Sequence, residues 1–293
     1  MSGLETIAAV VVTFNRKTLL CECLDGLLCQ TSRVDRIIII DNASADGTHE
    51  LLAEMGYLAR ESVEYVRLAV NSGGAGGFHE GVSRARDAGY SWIWLMDDDV
   101  EPMPQALATM LSYSDRSQCI QAGKVYRDGT AEPLHRWARV DRAGRRQPTN
   151  TPQHSEYVIA QTGCFEGMLI RRDVVLRIGL PDTRFFVGGD DVAYGYLASG
   201  HTQVIYLRTA LFKKKIKKDV GGTVLHRIGR RFRERRSTRY YYLAVRNELL
   251  LYEYFRNIVQ PFWFALRIAG LLIRYSFVTC KTMSSSAAGT PAL

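Results

Sequence analysis

The sequence predicts an α/β fold built on a parallel sheet, and three observations carry the prediction. Two short β-branched runs, residues 7–13 (IAAVVVT) and 36–40 (RIIII), flank LLCECLDGLLCQ, in which apolar residues recur at helical spacing. A strand, helix, strand unit of this kind returns its second strand parallel to the first. The apolar runs stop on clusters of turn- and cap-forming polar residues, and ligands of open parallel sheets collect beyond such strand ends. With 293 residues and 46% apolar composition the chain can close a sizeable core. It does so as one large domain or one domain with an appendage, which excludes disorder for most of its length.

The second strand runs out into Asp41-Asn42-Ala43-Ser44-Ala45-Asp46-Gly47-Thr48 before THELLAEM resumes a helix. VEYVRL reads as a third strand leading into Asn71-Ser72-Gly73-Gly74-Ala75-Gly76-Gly77-Phe78, expected as a loop, after which HEGVSRARDAG is a helix. Trp92 to Met96 is a further buried strand that stops on Asp97-Asp98-Asp99, and a helix is expected from about Pro104 to Tyr113. Residues 127–155, polar and rich in Gly, Pro and Arg, read as a surface loop or hairpin insertion. Order resumes at Val158 and continues through LPDTRFFVGGDDVAYGYLASG to a last strand, TQVIYL. The expected boundaries are a domain over 1–220, a basic amphipathic helical region over 221–283 and a disordered tail over 284–293.

The formal charge of +8 is unevenly placed: between Arg208 and Arg246 fourteen Lys or Arg stand against Asp219 and Glu234. Such a segment wants an anionic partner. Six cysteines (Cys21, Cys23, Cys29, Cys119, Cys164, Cys280) form no CxxC pair and read as reduced thiols of a cytosolic protein. The first residues read as a strand rather than a signal peptide. Ile258 to Cys280 is the most apolar late stretch, but Arg267 and Arg274 interrupt it. It therefore suits a membrane surface better than a span of about 20 apolar residues.

Three consecutive carboxylates after WIWLM are costly to gather, because like charges within a few ångströms raise one another's pKa unless a cation relieves them. Mg²⁺ or Mn²⁺ does so while keeping positions for water and substrate phosphates. A solvated acidic turn is the alternative, and the strand-end position favours the metal. The run at 73–77 holds four glycines in five residues, which lets a ring or diphosphate approach the backbone, but it lacks the GK[ST] ending of a P-loop. Asp190-Asp191 follow Phe185-Phe186-Val187-Gly188-Gly189 and precede a helix. An N-cap explains one of the two, and a general base at a sugar hydroxyl would use the other. His226, in GGTVLHRIG, gains interest only from company with the acidic triplet.

Together VVVTFNR, IIIIDNASADGT, NSGGAGGF, the triplet, FEGMLIRRDV, FFVGGDDVAYGYLASG and His226 resemble the family 2 glycosyltransferases, over roughly residues 7 to 250. NSGGAGGF with WLMDDDVEP, and YYYLAVRN at 240–247, look most like bacterial galactofuranosyl- and rhamnosyltransferases. The resemblance implies a GT-A, Rossmann-like fold: a mixed, mainly parallel sheet flanked by helices, with a basic and aromatic helical C-terminal appendage. It implies an inverting, metal-dependent transfer of galactofuranose or rhamnose from a UDP- or dTDP-sugar to a glycan acceptor in cell-surface polysaccharide synthesis, of the cell-wall or O-antigen kind. Thr13, Phe14, Asn15, Arg16 and Asp41 would hold nucleobase and ribose, with Asn71, Gly73 and Gly74 lining the other side. Asp97, Asp99 and His226 would bind the divalent ion, and Asp98 would touch ribose or donor sugar. Asp191 would be the base, Asp190 would orient the acceptor and Glu166 would share that work. Gly189 stands where several relatives carry a sugar-stacking Trp.

KKKIKKDV and RIGRRFRERRSTRYYYLAVR interleave bases with aromatic residues, as a nucleic-acid surface, a membrane surface or a solvated helix face would. The following WFALRIAGLLIRYSF favours an anionic membrane surface over nucleic acid, hence a peripheral place at the inner face of the cell membrane and a polyprenyl-linked acceptor. The same helices suit contact with a second copy. Two rivals remain at this level: another nucleotide-sugar enzyme such as a nucleotidyltransferase, which leaves the later acid pair unexplained, and a noncatalytic binding protein of the same fold, which leaves both acid clusters unexplained.

Overall fold

Alternate residues of the apolar runs face opposite sides of one sheet, and both sides are covered. Ile7, Ala9 and Val11 pack in one core cluster with Ile37, Ile39, Trp92 and Trp94, while Ala8, Val10 and Val12 pack in the other with Ile38, Ile40, Ile93 and Leu95. A strand buried on both faces needs apolar residues at every position, which is why these runs show no polar alternation. The computed structural model describes residues 5–132, 139–147, 154–215, 238–270 and 272–273. By its contacts the chain forms two units, one of residues 1–140 and 146–217, the other of residues 141–145 and 218–293.

In the first unit the strands are β1 (Ile7–Thr13), β2 (Arg36–Asp41), β3 (Val63–Arg67), β4 (Trp92–Asp97), β5 (Val100–Pro102), β6 (Cys119–Tyr126), β7 (Arg139–Val140), β8 (Arg146–Gln147), β9 (Tyr157–Ala160), β10 (Met168–Arg171) and β11 (Val204–Lys214). A nine-stranded sheet runs β3-β2-β1-β4-β10-β6-β11-β5, with β9 added on β11; β7 and β8 form a separate hairpin inside the expected insertion. β1, β2, β3 and β4 pair in parallel, as do β6 and β11, whereas β10, β5 and β9 run antiparallel to their neighbours. Helices α1 (Lys17–Leu28), α2 (Thr48–Glu54) and α4 (Ala106–Leu111) cover one face. Helices α3 (Gly73–Asp87), α5 (Arg172–Ile178) and α6 (Asp190–Ser199) cover the other.

Two elements differ from expectation. The glycine run is not a loop: Gly73 already belongs to α3, so the first turns of that helix are almost bare of side chains. The reason is packing, because a Cβ on Gly77 would lie 2.5 Å from Val12 Cγ1 and one on Gly81 2.2 Å from Val10 Cγ1. The helix lies on β1 closer than alanine permits. Gly81→Ala is accordingly expected to lower stability by about 1–3 kcal/mol despite alanine's better helix propensity, as read by denaturant unfolding. Val10→Ala in the same chain should recover part of the loss. The second difference is β11, which continues past TQVIYL to Lys214 and so draws the first lysines of the basic segment into the sheet.

In the second unit α7 (Thr238–Phe255) precedes helical residues 261–270. Tyr252 stacks on Phe264 with ring centroids 4.3 Å apart, and Arg267 bonds Glu248 and the Gly144 carbonyl. Phe262, Trp263, Leu266, Leu272 and Ile273 are exposed. No described helix is long and apolar enough to cross a membrane. The five cysteines described, Cys21, Cys23, Cys29, Cys119 and Cys164, are free thiols.

Candidate active site

Register brings together the residues expected on the donor side. Thr13 stands opposite Asp41 and Val12 opposite Asp97, so the ends of β1, β2 and β4 release their polar residues at one edge. The Thr13 hydroxyl and the Arg16 guanidinium donate to the two oxygens of Asp98, at 2.7 and 3.1 Å. Asp98 is 3% exposed and braces the chain leaving β1, instead of reaching outward. Arg16 also lies 3.6 Å from Asp99. Burial pulls its pKa down, but the carboxylates Asp98, Asp99 and Asp97 hold it above the usual arginine value.

Asn15 sits at φ 53°, a left-handed turn that asparagine tolerates. Its amide donates to Ser44 Oγ at 2.9 Å and its side-chain oxygen accepts from Ala45 N at 2.7 Å. Asp41 is buried and accepts from Ser44 N at 2.8 Å and from the Tyr65 hydroxyl. Phe14 is 42% exposed, free to lie against a ring. Asn71 accepts from Gly73 N at 2.8 Å, while a Cβ on Gly74 would meet nothing within 4 Å.

Antiparallel pairing adds the residue that changes the metal reading. Met168 opposes Leu95, so two residues further Glu166 lies opposite Asp97. Ligand oxygens of Asp97, Asp99 and Glu166 fall within 4.8 Å of one another. Burial first, then the charges of Glu166, Asp99, Asp98 and Asp191, push the Asp97 carboxyl well above its ordinary pKa. An all-carboxylate oxygen set under that repulsion fits a hard divalent ion such as Mn²⁺ or Mg²⁺. Glu166, expected on the acceptor side, thus stands beside the proposed metal pair. His226 lies outside the described residues.

Two lysines hold Glu166 from behind. Lys214 Nζ donates to both its oxygens, at 2.6 and 2.5 Å, and to Glu132 at 3.4 Å. Lys124 Nζ lies 3.8 Å from Glu166, 3.9 Å from Glu132 and 3.4 Å from the Tyr206 hydroxyl. Burial lowers the pKa of Lys124, but Tyr206, Cys164, Glu166 and Glu132 together raise it well above the usual value. Lys213 and Lys215 pair with Glu101, and Lys215 also with Glu22 at 2.7 Å. The first three lysines of KKKIKK are therefore paired with carboxylates of the protein, Lys214 buried, Lys215 largely so and Lys213 at the surface, which corrects their reading as part of a basic face awaiting an anionic partner.

The second acid pair comes close through glycine. The backbones of Gly163 and Gly195 nearly touch: a Cβ on Gly195 would lie 2.0 Å from Gly163 N. That contact seats α6 against the segment carrying Glu166. Asp190 is buried, and burial with the charge of Asp191 pushes its carboxyl up to about 7. Asp191, less buried, accepts from Val192 N at 2.8 Å, and its charge reaches Asp97. Gly189 takes φ 105°, so the loop turns where a Trp would be strained.

Sequence reasoning missed Lys124, Glu132 and Lys214 as members of the site, and missed Asn42, which ties the end of β2 to Ser72 and Gly73. The available signal for Lys124 was a lysine inside CIQAGKVY, a strand otherwise buried almost throughout.

The model of glycosyl transferase family 2 matches residues 8–179, more than half of the chain. The galactofuranosyltransferase GlfT1 of Mycolicibacterium smegmatis is 32% identical over 201 residues, which cover 66% of this chain and 65% of that protein. GlfT1 of Mycobacterium tuberculosis is 33% identical over 199 residues, covering 64% and 62%. The match thus spans just under two thirds of the length of these relatives. Among solved structures, GalNAc-T7 with UDP, GalNAc and Mn²⁺ shares the fold at a TM-score of 0.61 and 17% identity, over 92% of this chain and 58% of that one. S. aureus TarS 1–349 in complex with UDP shares it at 0.57 and 14% identity, over 84% and 65%. The fold is of the GT-A kind.

Proposed function

The chain belongs to glycosyl transferase family 2, and from that premise we propose that it is an inverting, metal-dependent galactofuranosyltransferase using UDP-galactofuranose. One observation carries the proposal: the two acidic clusters, far apart in sequence, are brought together where Gly163 and Gly195 seat α6, which starts at Asp190-Asp191, against the segment carrying Glu166, whose carboxylate lies with those of Asp97 and Asp99. The mycobacterial relatives are galactofuranosyltransferases, which favours galactofuranose over rhamnose. The UDP bound in the fold neighbours favours UDP over dTDP.

In this reading Phe14, Asn15, Arg16 and Asp41 hold the nucleobase and ribose, with Asn71 and Gly74 opposite. Thr13 and Asp98 act one layer back, fixing Arg16. Asp97, Asp99 and Glu166 hold the divalent ion, joined by His226 from the resemblance; bound there, it offsets the charge of the donor's diphosphate. Asp191 takes the proton of the acceptor hydroxyl as that oxygen bonds the anomeric carbon. The bond to the diphosphate oxygen breaks on the opposite face, its electron pair leaves with UDP, and the centre inverts. Asp190, which keeps its proton to about 7, donates to the acceptor and leaves Asp191 as the acceptor of the proton. The acceptor is a lipid-linked glycan presented at the inner face of the cell membrane. Exposed Phe262, Trp263, Leu266, Leu272 and Ile273 support that placement.

The test is a donor panel of UDP-galactofuranose, dTDP-rhamnose, UDP-glucose and UDP-galactose, scored by nucleotide diphosphate release with Mn²⁺ or EDTA, alongside calorimetry with UDP. UDP-galactofuranose should turn over fastest, and EDTA or Asp99→Ala should weaken UDP binding at least tenfold. Preference for dTDP-rhamnose would reassign the sugar, and UDP binding indifferent to EDTA and to Asp99→Ala would remove the metal.

A further inference from the structure

The glycine-rich start of α3 and the loop before Asp190-Asp191 meet backbone to backbone. Gly73 is buried at φ 75°, and a Cβ there would lie 2.0 Å from the Phe186 carbonyl oxygen and 2.6 Å from its carbon. Two residues on, Ala75 N donates to that same oxygen at 3.1 Å. A helix end with orphan N–H groups would otherwise offer them to an anion. Here Asn71 takes the Gly73 amide and Phe186 takes that of Ala75. Of the two glycines expected at the nucleotide, only Gly74 opens to free space.

Phe186 is held in a rare backbone state. Its φ of 60° and ψ of −61°, with Val187 N donating to Phe185 O at 2.7 Å, form the strained kind of γ-turn. Such a conformation is costly in a non-glycine residue and persists only where its surroundings impose it. Those surroundings are Gly73 and Ala75. Behind them stands Asn42, 2% exposed: its Nδ2 donates to Gly73 O at 2.9 Å, its Oδ1 accepts from Ser72 Oγ at 3.0 Å, and its amide donates to Thr13 O at 2.9 Å. After Phe186 come only Val187, Gly188 and Gly189 before the acid pair, both glycines at positive φ.

We propose that Asn42, Gly73 and Phe186 form a latch that positions Asp191, so that Gly73 serves the acceptor side of the site and not the nucleotide. The latch links the strand ends that hold the donor to the loop that sets the base. That function rests on the role of Asp191 argued above, while the physical contact does not.

The test uses the full chain and three variants, Gly73→Ala, Asn42→Asp and Gly74→Ala. UDP with Mn²⁺ is the calorimetric probe, amide hydrogen exchange reads residues 183–191, and kcat and donor KM are measured with whichever panel donor turns over. Gly73→Ala and Asn42→Asp should speed exchange over 186–191 at least tenfold and lower kcat at least tenfold. UDP affinity and donor KM should change less than threefold. Gly74→Ala should instead weaken UDP and leave exchange as it was. Asn42→Asp is nearly isosteric, so it carries the comparison if Gly73→Ala fails to fold. Unchanged exchange in Asn42→Asp, or a tenfold loss of UDP affinity at unchanged kcat in Gly73→Ala, would overturn the latch. Should no donor turn over, the proposed reaction fails, whereas the exchange measurement still decides the contact.

Discussion

Asp191→Asn is expected to lower transfer by about 10²–10⁴-fold while UDP affinity stays within about threefold, measured by single-turnover product formation and calorimetry. Asparagine keeps the shape of the side chain and the oxygen that accepts from Val192 N, so α6 should start where it does now. What it lacks is a basic oxygen at neutral pH. Asp190 is a poor substitute, because its carboxyl is buried where that of Asp191 is less so. Asp190→Asn should therefore cost less, and a variant of Asp191 that keeps its turnover would transfer the base to Asp190 or Glu166.

Lys124→Met should show the largest loss of stability. Lys124 and Lys214 face Glu132 and Glu166 in a cluster whose side chains are at most 10% exposed, two cations against two anions. Removing one cation leaves an uncompensated buried carboxylate next to Asp97 and Asp99. Breaking a buried pair in this way costs about 3–5 kcal/mol, which lowers Tm by on the order of 10 °C in a unit of this size. Glu132→Gln in the same chain should restore part of the loss, with a coupling of about 1–3 kcal/mol in the double-mutant cycle. If Asp97, Asp99 and Glu166 bind Mn²⁺, the ion should also raise the Tm of Lys124→Met more than that of the unmodified chain. Equal melting of variant and parent would show the cluster to be electrostatically idle.

The cluster also explains why the basic stretch misleads at the level of sequence. Lys213, Lys214 and Lys215 read as the start of a solvated charge run, yet β11 pairs with β5 and β6 and carries them to Glu101, Glu166 and Glu22. Nothing local distinguishes a lysine that meets a carboxylate from one that meets water. The glycine run was misassigned for a related reason. Glycine lowers helix propensity, and only the closeness of Val10 and Val12 makes a glycine-rich helix favourable there.

The sequence by itself determined the strands β1, β2 and β4, the parallel unit they form, and the acids at the ends of β2 and β4, because strands buried on both faces announce themselves as unbroken apolar runs and turns as polar clusters. It also placed Asp190-Asp191 at a helix start. Which acids share a site was decided by tertiary structure alone. Glu166 reaches Asp97 through an antiparallel register, and α6 with Asp191 at its start is seated against the segment carrying Glu166 by the contact of Gly163 with Gly195. Phe186 takes its strained turn because α3 presses on it. These are long-range pairings, and their energies depend on neighbours scores of residues away that no local pattern encodes.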